Sequence, residues 1–340
     1  MIGPRKILAC ISVLLGLAIA GCIAQSGALA AEKVRLGAFR GNLTPPAILA
    51  DETGAFAAEG IEIEFVPFDN SSVAATAVIS GDVDIAAMAF TAAAYNLAGK
   101  GGLRAIAGTL REMPGYPFMA YVVTATAWNE GVRSPAALID RRIGITTVGS
   151  PLHFFVAELA ERAGRDPRQL DLVQLRSMPA TMAALQTAKV DGALLLSAMA
   201  RRAESEGFGR IVGWVGDQTP GQTNGLFAST ATIARKQALI ERFLRAYRVG
   251  AALYFDAFLQ RGADGAPIKG ANYERFLEML ARRNGTTPQA MEANIGFNHA
   301  EAKLDVDGVM RQIALARRLG LVDETFVSTD IFDPVLTRRD

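Results

Sequence analysis

The sequence predicts an α/β protein with two similar lobes, and three observations support this prediction. One segment of the chain occurs twice, predicted strands alternate with predicted helices, and two segments rich in Gly and Pro interrupt the alternation. The repeated segments are residues 65–88 and 172–195, which align without gaps at an offset of 107 positions. Strands that alternate with helices are typical of largely parallel sheets flanked by helices.

Each copy of the repeat has the same order of predicted elements. An apolar strand leads through a short polar loop to an Ala-rich helix, and the sequence Val-Asp then precedes a second apolar strand. The Val-Asp pairs are Val83-Asp84 and Val190-Asp191. A solenoid would need about three or more copies of roughly 20–50 residues, whereas this long period occurs only twice. The repeat therefore predicts two lobes with a cleft between them.

The elements outside the repeat follow from the same signals. A helix is predicted at 46–58 with Pro46 in its first turn, and Gly60 ends it before a strand at 61–66. Other predicted strands are 34–39, 103–108, 121–124, 142–146, 211–215 and 226–229. Other predicted helices are 91–98, 134–139, 151–163 and a long one at 234–259 with an apolar face. The remaining chain is predicted to be mostly helical.

Two segments break the periodicity, and we interpret them as crossings between the lobes. The first is Met113-Pro114-Gly115-Tyr116-Pro117, and the second is residues 217–225. A chain that leaves one lobe and later returns forms two hinge strands, which allow closure around a ligand. The predicted division assigns residues 32–117 and 228–340 to lobe 1 and residues 118–227 to lobe 2.

The N-terminal segment has the layout of a secretory signal. Arg5 and Lys6 precede an uncharged apolar run at residues 7–20, and small residues follow. The alternative is a retained membrane anchor, which needs roughly 20 apolar residues and is reached only if residues 22–24 extend the run. The pattern favours export.

Two cleavage sites compete within this segment. Ala28-Leu29-Ala30 fits the small-residue rule and predicts removal of residues 1–30. Ile19-Ala20-Gly21-Cys22 resembles a bacterial lipobox, which predicts removal of residues 1–21 and a lipid on Cys22. Both alternatives predict an exported protein, either soluble or lipid-anchored.

Composition limits the classes of partner. Half of the 340 residues are hydrophobic and 20% are charged, so the chain can bury a large core, and its length allows about two domains. Removing Arg5 and Lys6 changes 35 basic and 34 acidic residues to 33 and 34, a net charge of −1. This balance gives no electrostatic reason to expect a nucleic-acid partner.

The sequence offers little for catalysis. Its two cysteines, Cys10 and Cys22, both fall in the signal segment, so the folded part is predicted to contain no disulfide and no thiol nucleophile. Its two histidines, His153 and His299, do not have metal-ligand spacing. Neither a Gly-x-Ser-x-Gly elbow nor a phosphate-binding Gly-Lys-Ser/Thr loop occurs. We therefore predict a protein that is not an enzyme and has no cofactor and no metal.

The predicted topology selects candidate ligand-binding residues. In α/β sheets, ligands bind beside the carboxyl ends of strands, where helix N-termini attract anions. The candidates at such positions are Arg40, Asn42, Asn70, Ser71, Ser72, Phe90, Thr91, Tyr116, Gly149, Ser150, His153 and Ser197. Ordinary structural roles are the alternative: helix caps for the small polar residues, core packing for the aromatic rings, a surface ion pair for Arg40 and solvated surface for His153.

Several segments, in this order, resemble a known family. They are Gly81-Asp82-Val83-Asp84-Ile85-Ala86, the helix Ser134-Pro135-Ala136-Ala137-Leu138, the strand Arg142-Ile143-Gly144-Ile145, and Ser150-Pro151-Leu152-His153-Phe154-Phe155. They are similar to the substrate-binding proteins of ABC importers, in particular to binders of aliphatic sulfonates, taurine, nitrate and thiamine-pyrimidine precursors. The resemblance covers residues 34–259. It implies a type II periplasmic-binding fold with two lobes, each a mainly parallel sheet flanked by helices, and two hinge crossings.

One position departs from the family pattern. The sulfonate and nitrate binders tend to have small hydroxyl residues where this chain has Pro151 and Leu152 after Ser150. Because proline has no N–H group, this helix start has fewer donors for a bare oxyanion. The departure favours a mixed solute, either a small organic anion or a heteroaromatic compound.

The resemblance implies a function and its partners. We expect a periplasmic receptor, soluble or anchored through Cys22, that captures a small molecule by hinge closure and delivers it as a monomer to an ABC permease and its ATPase. A lipoprotein that senses a ligand without transport is an alternative. A biosynthetic enzyme for a pyrimidine precursor is a further one, which the missing cysteines disfavour.

Overall fold

The computed structural model describes residues 31–39 and 44–338, and from Glu32 onward these belong to one unit. The strands, in chain order, are β1 (Glu32–Phe39), β2 (Ile61–Phe68), β3 (Ile85–Ala89), β4 (Leu103–Gly108), β5 (Leu110–Glu112), β6 (Met119–Thr124), β7 (Ile143–Ile145), β8 (Leu172–Gln174), β9 (Gly192–Leu196), β10 (Gly209–Trp214), β11 (Gly221–Gln222), β12 (Asn224–Ser229) and β13 (Phe297–Asn298). They form two five-stranded sheets and one three-stranded sheet.

Helices cover these sheets. In chain order the α-helices are α1 (Pro45–Glu52), α2 (Ala55–Ala58), α3 (Ser71–Ser80), α4 (Ala92–Gly99), α5 (Ala125–Asn129), α6 (Pro135–Leu138), α7 (Pro151–Arg162), α8 (Met178–Gln186), α9 (Ser197–Ser205), α10 (Val215–Gln218), α11 (Thr230–Phe258), α12 (Tyr273–Asn284), α13 (Pro288–Glu292) and α14 (Val306–Arg318). Two short 3-10 helices lie at Pro167–Gln169 and Ser328–Ile331. The predicted α/β class is confirmed.

The two large sheets share one strand order. The first is β2-β1-β3-β12-β4, and the second, read from its opposite edge, is β8-β7-β9-β6-β10. In each sheet four strands run one way, and the fourth in the order, β12 or β6, runs against both its neighbours. Each reversed strand is the first to enter its sheet after a crossing. We call the first sheet with its helices the first lobe, and the second sheet with its helices the second lobe.

The third sheet contains the crossings. Strand β5 lies between β11 and β13, with Glu112 opposite Gly221 and Arg111 opposite Phe297. The outgoing and returning crossings therefore run side by side. The predicted division ended lobe 2 at residue 227, but β12 begins at Asn224 and pairs with β3 and β4, so residues 224–227 already belong to the first sheet. The remaining lobe boundaries stay a prediction.

The internal repeat extends to the register of the strands. Leu36 pairs with Ile85 in the first sheet, and Ile143 pairs with Gly192 in the second, at the same offset of 107 positions. The register includes the residue that precedes each pair. The N–H of Arg35 donates to Asp84 Oδ2 at 2.9 Å, and the N–H of Arg142 donates to Asp191 Oδ2 at 3.0 Å. The structural repeat therefore extends beyond the two similar sequence segments, because it also includes the strand before each copy, β1 in the first sheet and β7 in the second.

The helix predicted at 46–58 is two helices. Gly54 has a φ of +80°, a left-handed conformation that ends α1 and begins α2. Glycine adopts this conformation without the steric cost that a Cβ brings. The apolar periodicity continues across the break, which explains why the pattern predicts one helix.

Helix α7 of the second lobe packs against both lobes. Phe154 belongs to the core of the first lobe and stacks on Tyr95 with a centroid distance of 6.2 Å, whereas Phe155 belongs to the core of the second lobe. Glu161 on the same helix forms an ion pair with Arg318 of α14. None of the described helices combines the length and apolar composition that a bilayer span requires.

Candidate functional site

In addition to the Glu161–Arg318 ion pair, two hydrogen bonds from helix N-termini connect the lobes. The N–H of Ala92, in the first turn of α4, donates to the carbonyl oxygen of Gly149 at 2.8 Å. The N–H of Ala198, in the first turn of α9, donates to Asn294 Oδ1 at 3.4 Å. Helices α4 and α9 each follow the last strand of a repeat copy. Equivalent helix N-termini therefore reach from each lobe to the opposite one, and we call these contacts the first and second clasp.

The first clasp depends on a glycine. Gly149 has a φ of +77°, which disfavours any residue with a Cβ. A Cβ built there would also lie 2.9 Å from the Cβ of Ala92, closer than unstrained carbon atoms approach. The backbone of the second lobe can meet α4 this closely only because position 149 is glycine.

His153 stabilises the loop that forms the first clasp. Its Nδ1 accepts the N–H of Gly149 at 3.0 Å, and its ring stacks on Phe154 with a centroid distance of 6.0 Å. The side chain is only 4% exposed, and burial lowers its pKa to about 4. The imidazole is therefore neutral near pH 7, and with Nδ1 as acceptor its proton lies on Nε2. Direct contact between His153 and a solute stays a prediction.

Ser150 begins α7 beside this loop. It occupies the N-cap position without forming a side-chain cap, and the proline that follows has no N–H. Its Oγ is buried, and within the part of the chain that the structure describes it has no hydrogen-bond partner. A buried hydroxyl without a partner is costly in a folded protein unless a ligand or water satisfies it. Ser150 therefore remains a candidate for ligand contact.

The polar candidates on α3 and α4 have structural partners. Asn70 accepts the N–H of Val73 and Thr91 accepts that of Ala94, so both are helix N-caps. Ser71 Oγ accepts the N–H of Ala89 at 3.1 Å, which ties the start of α3 to the end of β3. Ser72 is exposed, and its carbonyl oxygen accepts the hydroxyl of a residue one turn later. Ligand contact by these residues stays a prediction.

The remaining candidates fall into three groups. Phe90 is fully buried and packs against Phe227 at a centroid distance of 4.8 Å, so its ring belongs to the core. Tyr116 and Ser197 line one cavity of about 310 Å³ between the lobes. Arg40, Asn42 and the lipidation candidate Cys22 lie outside the described residues.

A smaller cavity lies at the carboxyl edge of the first sheet, beside the second clasp. Its volume is about 50 Å³, and its polar lining consists of hydroxyl and amide side chains: Thr44, Thr109, Asn224, Tyr254, Asn294 and Asn298. Phe39 and Thr44, the described residues on either side of 40–43, both line it. Small-molecule sites usually begin at roughly 300 Å³, so an organic solute would need this cavity to widen. We call it the central cavity.

Sequence reasoning missed the polar side chains of the central cavity. Thr109 follows β4 and Asn224 begins β12, so both lie at strand ends in the first sheet. The available signals were the position of Thr109 directly after the predicted strand 103–108 and that of Asn224 within the second crossing. Asn294 and Asn298 come from the C-terminal part of the chain, and no local pattern connects them to the cleft. Within the described ranges, no group of three or more His, Cys, Asp or Glu side chains is arranged to hold a metal ion.

Two α/β lobes with one strand order, joined by paired crossings and facing each other across a cleft, define the bilobed periplasmic-binding class of fold. The chain belongs to the family described as NMT1/THI5 like, whose model matches residues 44–257. The predicted family resemblance and type II fold are thereby confirmed. No curated protein sequence matches the chain.

Solved structures share the fold at low sequence identity. The alkanesulfonate-binding protein SsuA from Xanthomonas axonopodis pv. citri, bound to MOPS, has a TM-score of 0.66 and 15% identity over 89% of this chain and 99% of its own. The periplasmic nitrate-binding protein NrtA from Synechocystis PCC 6803 has a TM-score of 0.64 and 11% identity, over 88% of this chain and 84% of its own. The desulfurization enzyme DSZB has a TM-score of 0.58 and 15% identity, over 90% of this chain and 97% of its own. At these identities the similarity establishes the fold alone.

Proposed function

We propose that the protein is an extracytoplasmic solute receptor of an ABC importer, which closes its two lobes around one small molecule. The observation that supports this most strongly is the pair of clasps. Equivalent helix N-termini bind the opposite lobe at two points, and the second clasp borders a polar cavity. Such contacts form only when the lobes approach each other, so solute binding and closure would be coupled.

The lining of the central cavity favours a solute with both polar and flat apolar parts. Its described polar groups are neutral, and helix α1 begins with two prolines, which provide no N–H donors. A full positive charge would have to come from Arg40, in the four-residue connection between Phe39 and Thr44. We therefore propose a small organic anion or heteroaromatic compound such as a sulfonate, a carboxylate or a pyrimidine.

Export and the partner subunits belong to the same proposal. The chain would leave the cytoplasm through its N-terminal signal, act in the periplasm as a monomer, and present the closed form to a permease and its ATPase. Mass spectrometry of protein from the native host would find either acylated Cys22 or an N-terminus at Ala31. Retention of Met1 in the exported protein would contradict both forms.

A thermal-shift screen tests the receptor directly. Sulfonates, aliphatic and aromatic carboxylates, nitrate and pyrimidines are added to the mature chain, and a solute at 100 times its Kd adds roughly 2.7 kcal/mol to stability. The matched variants are Asn224→Ala, which removes an amide from the central cavity, and Asn129→Ala, which removes an exposed one elsewhere. We expect only Asn224→Ala to reduce the shift. A panel without any stabilising member would contradict the proposal.

The enzyme alternative has one supporting observation, the shared fold of DSZB. The sequence contains cysteine only at positions 10 and 22, so a thiol-dependent mechanism would have to use the signal segment. Incubation of the purified mature chain with the best-binding solute, followed by mass spectrometry of the solute, separates the two functions. A receptor returns the solute unchanged.

A further inference from the structure

A second and larger cavity lies between the lobes. It has a volume of about 310 Å³, within the range of small-molecule sites. Tyr116 and Pro117 of the first crossing, Ser197 and Arg201 of α9, and C-terminal residues that include Arg261 line it. We call it the outer cavity, and it shares no lining residue with the central cavity.

Two guanidinium groups from opposite lobes line the outer cavity without a carboxylate partner. Arg201 of the second lobe donates from Nε to Ser197 Oγ at 3.3 Å, and Arg261 of the first lobe donates to the carbonyl oxygen of Gly115 at 2.9 Å. Within residues 31–39 and 44–338 neither forms an ion pair, and each retains N–H donors beyond these bonds. Like charges brought together by closure repel each other unless an anion lies between them.

Two further charged groups, Lys269 and the carboxylate Glu292, also line the outer cavity. Lys269 Nζ lies 2.7 Å from Glu274 Oε1, and Tyr273 donates its hydroxyl to Glu292 Oε1 at 2.6 Å. Lys269 Nζ also lies 3.9 Å from Glu292 Oε1, so one ammonium group serves two carboxylates, and these three groups together with the two arginines carry a net charge of +1. A ligand here would need to supply a negative group with two acceptor oxygens, because a guanidinium donates in a planar fork.

Aromatic and apolar surfaces complete the lining. The guanidinium of Arg261 lies 4.1 Å from the centroid of the Tyr116 ring. The rings of Phe258 and Tyr273 pack edge to face with a centroid distance of 5.0 Å. Ile268 adds apolar surface that is 48% exposed. Flat apolar groups bind between such surfaces, and burying them there gains free energy through the hydrophobic effect.

We propose that the outer cavity is a second binding site, which takes an aromatic carboxylate bound by Arg201 and Arg261 from opposite lobes. The ligand would bind one guanidinium group from each lobe and so favour closure. This inference does not rest on the identity of the central solute, because the two cavities have different linings.

Calorimetric titration of the full mature chain with 2-naphthoate tests the site. We expect Arg201→Gln and Arg261→Gln each to weaken binding about tenfold or more, because each removes a charge-assisted hydrogen bond. The matched control is Arg202→Gln on the same helix, since Arg202 is paired with Glu206 and does not line the cavity. Neutral 2-naphthamide should bind at least tenfold more weakly than 2-naphthoate.

Further variants keep the test decisive. If Arg261→Gln fails to fold, Arg261→Lys retains the charge but loses the planar fork, and we expect an intermediate affinity. Unchanged 2-naphthoate affinity in Arg201→Gln and Arg261→Lys would overturn the proposal. So would loss of binding in Asn224→Ala, because the probe would then occupy the central cavity. A solute screen in which only aromatic carboxylates stabilise the chain, with the shift retained in Asn224→Ala, would contradict the receptor function and leave this site unaffected.

Discussion

The two copies of the repeat differ in the surroundings of their equivalent aspartates, Asp84 and Asp191. Asp84 and Asp191 each accept the N–H of the residue just before the first strand pair, Arg35 within β1 and Arg142 ahead of β7, with nearly equal distances. Asp84 is also buried and binds Lys236 Nζ at 2.7 Å, whereas Asp191 forms no ion pair among the described residues. Burial alone would raise the pKa of Asp84, but Lys236 and the Arg35 N–H outweigh it and lower the pKa.

The difference separates what the α/β unit needs from what its surroundings add. In both copies a backbone N–H needs a hydrogen-bond acceptor at the point where two parallel strands begin to pair. The aspartate of the same copy accepts this N–H, so no residue from another part of the protein is needed. Only the first copy is covered by the long helix α11, whose backbone departs from helical geometry at Lys236. The kink lies at the residue whose ammonium group binds Asp84. The long helix and the first sheet are thus joined by a charge pair that the second lobe lacks.

The largest expected effect tests this comparison directly. Asp84→Ala removes the acceptor of the Arg35 N–H and leaves Lys236 unpaired, so we expect it to cost about 3 kcal/mol of unfolding free energy. Asp191→Ala removes only the acceptor of a backbone N–H and should cost about 1 kcal/mol. Urea unfolding of the two variants measures both values. In a Lys236→Met background the excess cost of Asp84→Ala should shrink to the share of the Arg35 guanidinium, whose Nε lies 3.6 Å from Asp84 Oδ2. Equal costs in the wild-type background would show both ion pairs to be negligible.

The crossing between the copies has no counterpart in the repeat, and it contains a buried carboxyl group. Glu112 of β5 is 0% exposed, and burial raises its pKa to about 8, although the N–H groups of Met119 and Gly216 oppose the rise. A raised carboxyl pKa means that the folded state retains a proton that the unfolded state releases. Stability is therefore lost as pH rises from the unfolded pKa of 4.5 towards 8.

Glu112→Gln replaces the carboxyl group with a neutral group of the same shape. We expect the variant and the wild type to have similar unfolding free energies at pH 5, and the variant to be about 3 kcal/mol more stable at pH 8. Urea unfolding at both pH values measures the difference. A difference that does not change with pH would mean that Glu112 is ionised throughout this range.

The two clasps differ in geometry, and this predicts unequal effects on binding. Gly149→Ala adds a Cβ that collides with Ala92 only in the closed form, so we expect the affinity for the central solute to fall about tenfold. Asn294→Ala removes the 3.4 Å bond of the second clasp together with an amide of the central cavity, and because the bond is long we expect the clasp itself to contribute only about threefold.

Gly131→Ala is the matched control for the first clasp. Gly131 also has a positive φ, of +99°, but a Cβ there meets nothing within 4 Å. The control should lose folding stability through backbone strain and retain its affinity for the solute. Equal loss of affinity in both glycine variants would show that the effect of Gly149→Ala is not specific to closure.

The smallest expected effect compares the two predicted serines. Ser71→Ala leaves the N–H of Ala89 without its acceptor and should cost about 1 kcal/mol of unfolding free energy. Ser150→Ala removes a buried hydroxyl that has no described partner, so stability should change by no more than about 0.5 kcal/mol. Chemical unfolding measures both. A large destabilisation by Ser150→Ala would assign it a structural role in place of ligand contact.

The sequence was informative where interactions are local. The gapless repeat, the helix caps at Asn70 and Thr91, and the Gly/Pro-rich crossings follow from periodicity and from local side-chain hydrogen bonds, so the α/β class and two-lobed fold were predictable. The break at Gly54 was not, because the apolar pattern continues across it. Asn294 reaches the cleft only through packing of the C-terminal helices, and that long-range contact leaves no local signal.

The most direct test of the account is solution scattering of the mature chain with and without the most stabilising solute of the screen. We predict that the solute lowers the radius of gyration of the wild type, because the crossings act as a hinge and both clasps form. In Gly149→Ala the decrease should be smaller at the same saturation. A saturating solute that leaves the wild-type radius unchanged would contradict closure around the ligand.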